Sequence, residues 1–406
     1  MAERLLIAGG GIGGLAAGYA AAQAGWDVQL LERAPAFTEV GAGVQLGPNV
    51  TRILKAWGLS EALQDVAAFP QALHARSVTS GAVLSTLPLG AAMQARYGAP
   101  YVSVHRADLH ALLLQAAQNQ GVVLQTDTTV LTAEQAVEGV TVHALRGALQ
   151  QRDTGQALVV ADGVWSPLRQ QLLQDGSPTY SGHLAYRALV PQAQLPLHLR
   201  TQNVTVWMGA LAHVVVYPLR GGDFLNVVCL VEAPADGVDA EAIKSWTAQK
   251  SPAQTQQDLH TALRDACTPL RALIDACHGL VPWHLWPLCA RPPMQGAFQH
   301  AQGRVAFVGD AAHPMLPYLA QGAGMAIEDA AELGAQLTHC NSAQVTQRLA
   351  TYAQARWQRN ARVQARAMRN GRIFHTTGPL RWARDLGLRL TGARLMDTPW
   401  LYGENR

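Results

Sequence analysis

The sequence predicts an α/β fold with a Rossmann-like dinucleotide-binding domain, a second domain built on a β-sheet, and C-terminal helices. Three observations predict it. A strand–glycine loop–helix–strand unit opens the chain, and two strand–Asp/Gly turns recur downstream. Between those turns lies a segment of alternating β-branched and aromatic residues, and the chain finishes in long, Arg-rich helical patterns.

Leu5-Leu6-Ile7-Ala8 is a short apolar run that suits a buried parallel strand. Gly9-Gly10-Gly11-Ile12-Gly13-Gly14 comes next and matches G-x-G-x-x-G at Gly9, Gly11 and Gly14. Leu15 to Ala24 reads as an Ala-rich helix ended by Gly25, and Asp27-Val28-Gln29-Leu30-Leu31 as a second strand with Glu32 at its carboxyl end. In such a unit the first glycine makes a tight turn, the second lets backbone approach a pyrophosphate, and the third lets helix and strand pack closely. The helix start offers N–H groups to phosphate, and an acid in the position of Glu32 accepts from a ribose hydroxyl. That acid favours NAD or FAD over NADP, and the unit alone does not separate those two.

Downstream, Ala157 to Ala161 is strand-like and leads into Asp162-Gly163-Val164-Trp165-Ser166-Pro167-Leu168-Arg169. Gly303 to Val308 leads likewise into Gly309-Asp310-Ala311-Ala312-His313-Pro314. An Asp at the end of a parallel strand sits where ligand hydroxyls bind, in the crevice at the sheet's carboxyl edge. Glycines at 322 and 324 then start a helix whose N–H groups can face an anionic ring edge. Between the two motifs, Val204–Gly209, His213–Pro218 and Phe224–Val231 read as strands, with Gly221-Gly222 turning the last pair into a hairpin. His213 and Tyr217, four apart, share one face of that sheet.

Of the 406 residues, 49% are hydrophobic and 15% charged, against about 25% charged in ordinary globular chains, which excludes intrinsic disorder. The length suggests two domains. Five scattered cysteines with no C-x-x-C pair fit neither a zinc site nor a disulfide framework, and point to a reducing cytoplasm. The uncharged stretch from Leu5 to Trp26 is too rich in glycine for a membrane span, and no other stretch is long and apolar enough. No membrane and no metal are expected. The net charge of +3 hides a split: residues 341–406 hold twelve Arg and three acids, leaving the remainder acidic. An Arg-rich tail fits nucleic-acid binding or helices clamped on the body, and composition does not choose. Gln344 to Gly371 reads as one amphipathic helix stopping at Asn370-Gly371, and Leu380 to Leu395 as a further helical hairpin. No nucleic-acid module is recognisable, so the tail is expected to pack on the acidic body or on a second subunit.

Strand–GxGxxG–helix–Glu, then D-G-x-x-S-x-x-R, then a strand ending G-D-A-A-H-P resembles the single-component, FAD-dependent aromatic hydroxylases of the p-hydroxybenzoate hydroxylase fold. The resemblance covers essentially the whole chain. It implies an FAD-binding domain over 1–75, 100–178 and 285–340, a β-sheet substrate domain over 76–99 and 179–284, and a helical segment over 341–406. It implies FAD, held at Gly9, Gly11, Gly13, Gly14, Glu32, Arg33, Gln45, Arg106, Asp162, Arg169, Asp310, Gly322, Ala323 and Gly324. In that scheme Asp310 binds the ribityl chain, while Asp162 and Arg169 serve both the pyrophosphate and passing NADH or NADPH.

The implied reaction reduces FAD with NAD(P)H, adds O2 to form a flavin C4a-hydroperoxide, and hydroxylates an electron-rich ring. His213 is the candidate acceptor of a phenolic proton, Tyr217 and Gln321 complete the catalytic candidates, and His213, Tyr217 and Tyr318 are expected to bind substrate. His313 is expected to be structural. The closest-looking members are salicylate, 3-hydroxybenzoate and 6-hydroxynicotinate hydroxylases, matched at Gly41–Asn49, Tyr217–Gly222 and Tyr318–Gly322. These point to a small aromatic acid, with a monomer or homodimer as the working form. The alternatives are a same-fold monooxygenase for a larger natural-product scaffold and a non-catalytic dinucleotide-binding protein.

Overall fold

The computed structural model describes residues 3–37, 43–233 and 250–403. Gly41 and Ala42, part of the first substrate-side match, lie outside the described residues. The chain forms two compact units, each assembled from three segments.

The first unit comprises Met1–Val40, Ala107–Thr179 and Cys289–Met368. Its six-stranded sheet runs Ala301–Gln302, Val305–Phe307, Ala157–Val160, Arg4–Ala8, Asp27–Leu31, Val123–Gln125, parallel except for the first pair. The strands are near-continuous apolar runs, as expected where both faces are covered. Strand register sets where the connecting loops leave the sheet. Ala8 pairs with Leu31 and with Val160, and Val160 with Phe307. The four strands therefore end level, and the glycine loop, Glu32, Asp162 and Gly309-Asp310 emerge along one carboxyl edge. A three-stranded antiparallel sheet (Thr128–Gln135, Val140–Arg146, Leu149–Gly155), unforeseen in the sequence, packs beneath with Val130, Val142 and Ala144 in the core.

The Arg-rich tail divides. Its long helix, Val345–Phe374, places Arg356 at only 3% exposure, donating to Asp329 (2.9 Å) and Glu328 (2.8 Å) of the helix Gly322–Leu337. Arg359 joins Glu328 at 2.6 Å. These pairs carry the expected clamp on acidic residues. The expected stop at Asn370-Gly371 is not used: the helix continues to Phe374, and Gly371 is buried.

The second unit comprises Gly41–Arg106, Tyr180–Leu288 and Arg369–Arg406. The domain limits drawn from the sequence are corrected here. Residues 43–75 join this unit because Gly43–Leu46 and Ala67–Ala68 pair with Val102–His105, and Ala72–Ser77 enters its main sheet. Residues 369–406 are not a separate layer either, since the helix Gly378–Met396 packs on the strand Val83–Pro88, where a Cβ on Gly392 would meet Ser85 Oγ at 2.3 Å. The main sheet has seven strands in the order His284–Ala290, Thr179–Pro191, Phe224–Glu232, Ala212–Leu219, Val204–Met208, Ala72–Ser77, Val83–Pro88. Val214, Val216, Val227, Cys229 and Tyr186 point to one face and pack with Leu259, Leu270, Ile274 and Cys277 from the helices Pro252–Ala262 and Thr268–Leu280. Alternation puts Arg187, His213, Val215, Tyr217, Asn226 and Val228 on the other face. Among the described residues no helix is long and apolar enough to cross a membrane.

Candidate active site

In the first unit the glycine loop is shaped by close packing on one side and open space on the other. Gly9 has φ +108°, and a Cβ there would lie 2.4 Å from the Ala161 carbonyl oxygen. A Cβ on Gly14 would lie 1.9 Å from the Gly9 carbonyl oxygen, so helix and strand touch through glycine alone. A Cβ on Gly11 would meet nothing within 4 Å. The helix Ile12–Gln23 has no side-chain cap and no acid in its first turn, leaving its first N–H groups and their positive dipole end for an anion. Glu32 is fixed in place because Oε2 accepts from Gly10 N (2.6 Å) and Oε1 from Ala34 N (2.8 Å), and its remaining lone pairs can take hydroxyl donors. His110 braces the same turn through Nε2 and the Gly10 carbonyl at 2.8 Å.

Asp162 stands at the end of the neighbouring strand. Its Oδ1 is buried without a hydrogen-bond partner, while Oδ2 accepts from Leu168 N at 3.4 Å. Burial pushes its carboxyl up to about 6, against hydrogen bonds from Ser166 and Leu168 and the charge of Arg33. An orphaned carboxylate oxygen beside an open glycine cradle and an uncapped helix start fits a dinucleotide with hydroxyl donors and a pyrophosphate. The fold thus suits FAD on three independent features of this edge. Arg33 and Asp310 are exposed, the latter on the 3-10 turn Gly309–Ala311. Tyr318 and Gln321 are buried on the turn before the helix Gly322–Leu337, which also begins without a side-chain cap and with open space around Gly322. Gly324 is buried and Ala323 partly so.

Arg169 is largely engaged within the protein. It is 2% exposed, its Nε and Nη2 bind the Asp175 carboxylate, and its Nη1 donates to the carbonyls of Ala311 and Ala312. Arg291 holds Asp175 from the other side at 2.9 Å. Four of its five N–H groups are engaged within the protein, and this guanidinium ties the second motif to the third. His313 is likewise structural, at 2.5 Å from Asp329 in a fully buried cluster with His300 and Arg356.

The second unit places the substrate-side residues differently from expectation. Tyr217 donates its hydroxyl proton to the Gly43 carbonyl (2.7 Å), and Gly43 N donates to Asn226 Oδ1 at 3.2 Å. A Cβ on Gly43 would lie 2.4 Å from the Tyr217 ring. The phenol is therefore spent as a donor, and only its oxygen lone pairs remain. Burial pushes it up to about 12 while the charge of Arg187 pulls the other way. His213, 1% exposed, does not converge with Tyr217. Its Nδ1 lies 2.7 Å from His375 Nε2, and its ring packs on Phe374 at 5.2 Å. Burial first, then the neighbouring His375 and His183, hold it well below the ordinary histidine range. Gln45 accepts from the Tyr101 hydroxyl at 2.8 Å, and Arg106 starts the helix Arg106–Asn119.

Two residues were missed by sequence reasoning. Arg187 lies 4.8 Å over the Trp286 ring, its Nε is buried without a hydrogen-bond partner, and no acid among the described residues pairs with it. Asn226 Nδ2 is a second buried donor without a partner. The signal for Arg187 was one charge inside the apolar run Leu184–Val190, where a strand face is otherwise dry.

Comparisons with known proteins agree with this geometry. The family model described as FAD binding domain matches residues 3–367. The chain is 36% identical over 404 residues to 3-hydroxybenzoate 6-hydroxylase of Polaromonas naphthalenivorans (strain CJ2), covering 99% of this chain and 96% of the relative. It is 34% identical over 330 residues to 6-hydroxynicotinate 3-monooxygenase of Bordetella bronchiseptica, covering 81% of each. Among solved structures, Klebsiella pneumoniae HpxO complexed with FAD and uric acid superposes with a TM-score of 0.82 at 25% identity, covering 97% of this chain and 95% of that one.

Proposed function

From the premise that the chain belongs to the FAD binding domain family, we propose that it is an FAD-dependent monooxygenase that hydroxylates a small aromatic acid with NAD(P)H and O2. Relatives named for 3-hydroxybenzoate and 6-hydroxynicotinate support the substrate class. The observation that carries the acid is Arg187, a buried cation on the second unit's sheet that no acid among the described residues pairs with.

FAD, when bound, supplies electron transfer from NAD(P)H and the activation of O2; the chain supplies binding, orientation and proton handling. Gly9, Gly11, Gly13, Gly14 and Glu32 seat the adenosine and pyrophosphate, with Asp162 and Asp310 for hydroxyls, and Arg33, Gln45 and Arg106 as further contacts. The start of the helix at Gly322-Ala323-Gly324 would offer its N–H groups to the flavin ring. Arg187 takes the substrate carboxylate in a charge-assisted pair, with Asn226 Nδ2 and the Tyr217 oxygen as neighbours on the same face. Tyr318 and Gln321 are the remaining polar contacts.

His213 is the residue proposed to meet the substrate hydroxyl, its ring held through Nδ1 by His375 Nε2 at 2.7 Å. The scattered cysteines, with no C-x-x-C pair, support a cytoplasmic location, and a monomer or homodimer is the proposed working form. The test is a screen of hydroxylated benzoates and nicotinates for stimulated NAD(P)H oxidation with matching O2 uptake and an identified product. A yellow protein whose NAD(P)H oxidation no aromatic acid stimulates rejects the substrate class, and a colourless one rejects the flavin.

A further inference from the structure

A cluster that flavin chemistry does not require stands at the end of two inner strands of the second unit's sheet. His183 and Glu232 are cross-strand partners on Thr179–Pro191 and Phe224–Glu232, and His375 comes directly after the long helix Val345–Phe374. We propose that His183, Glu232 and His375 bind a divalent transition-metal ion of the zinc class. Two imidazoles and one carboxylate are a donor set that such ions favour, with the fourth position left to water.

Geometry carries the proposal. One atom from each side chain lies within 4.8 Å of the other two. His375 Nδ1 is 3.0 Å from Glu232 Oε1, and His183 Nε2 is 3.9 Å from the same oxygen. Tetrahedral ligands about 2.0–2.1 Å from zinc lie roughly 3.3 Å from one another, so these separations bracket the required edges. The outer contacts already aim the donors. His183 Nδ1 lies 3.0 Å from the Ser181 carbonyl, which holds the proton on that nitrogen and leaves the Nε2 lone pair toward the cluster. His375 Nε2 faces His213 Nδ1 at 2.7 Å, so coordination through His375 Nδ1 makes His375 donate to His213 and fixes both tautomers. Glu232 is partly exposed, which opens a route from solvent.

The contrast with the first unit sharpens the assignment. His300, His313 and Asp329 also lie within mutual reach, but they are sealed from solvent and Arg356 donates to Asp329 at 2.9 Å. A cation already fills that role. At His183, Glu232 and His375 no arginine or lysine is hydrogen-bonded to Glu232 among the described residues.

The test titrates untagged, FAD-loaded protein with Co2+, then competes with Zn2+. The expected result is one Co2+ per chain with the intense visible bands of low-symmetry coordination, displaced by Zn2+, and a raised Tm in its presence. Glu232→Gln and His183→Gln alter partly exposed positions, so each is expected to keep its FAD content and metal-free Tm while weakening Co2+ binding at least tenfold. Absence of saturable binding in the parent protein overturns the proposal. Parent-like binding in either variant does the same.

Discussion

The carboxyl edge of the first unit's sheet and the Arg187 face of the second unit's sheet do their work with opposite materials. At the edge, the groups that meet a ligand are mostly backbone: glycine N–H groups, two uncapped helix starts, and carboxylates pinned by backbone amides. On the face they are side chains, Arg187, Tyr217, Asn226 and His213, whose availability depends on what each neighbour takes from them. A backbone site is written in residue types that permit close approach. A side-chain site is decided by partners that come from distant strands.

The largest effect expected from that difference is at Gly14. Gly14→Ala sets a Cβ 1.9 Å from the Gly9 carbonyl oxygen, a backbone atom that cannot move without parting helix from strand. Expression of colourless or insoluble protein is the expected outcome, read by flavin absorbance. Gly11→Ala separates packing from binding, since its Cβ enters open space. That variant is expected to keep its circular dichroism and apoprotein Tm but to lose FAD affinity at least a hundredfold in reconstitution. If Gly11→Ala binds FAD normally, the open cradle is not the pyrophosphate seat.

Next in size is Arg356. Its guanidinium is buried between Glu328 and Asp329, and removing one partner of a buried pair costs about 3–5 kcal/mol because Asp329 loses this cation while Glu328 keeps only Arg359. Arg356→Met is expected to lower stability in urea by that order, whereas Arg389→Met on the exposed side of the last long helix changes it little.

How much was legible divides along the same line. Gly9, Glu32, Asp162 and Gly309-Asp310 were found because short apolar strands followed by glycine or acid have few alternative meanings, and strand register then lined them up. The internal partner of Arg169 was not legible because Asp175 lies just past the helix Pro167–Leu173, and nothing in D-G-x-x-S-x-x-R shows that the chain folds back there. His213 and Tyr217 were placed on the correct face by alternation, yet their partners Gly43 and His375 come from segments 174 and 162 residues away. The helix through Gly371 shows tertiary packing overriding a local stop, since that glycine is buried rather than a terminal cap.

Acid should weaken both units through buried histidines. Burial lowers His375 to about 4 and His300 to about 3, below the ordinary value near 6.5. A depressed histidine binds fewer protons folded than unfolded. Its contribution is therefore complete above the unfolded value and is lost as pH falls from about 6.5 toward 4. Each unit of such a shift is worth about 1.4 kcal/mol. The Tm is expected to drop across that window, and His375→Gln should flatten the drop. A Tm constant between pH 7 and 4.5 contradicts it.

The smallest effect is the most informative about substrate. Arg187→Gln keeps a hydrogen-bonding side chain of similar reach but removes the charge over Trp286. A hydrogen bond to a charged group is worth about 1.5–3 kcal/mol, so KM for the aromatic acid should rise roughly tenfold to a hundredfold. The kcat is expected to hold, because the carboxylate contact is the same in ground and transition states and its loss weakens both equally. The neutral amide of the same acid supplies the decisive comparison: its KM should barely change on substitution, since it never made the charged pair. Unchanged discrimination between acid and amide in the variant would remove Arg187 from the substrate site and leave the flavin edge untouched, because the two regions fail by separate measurements.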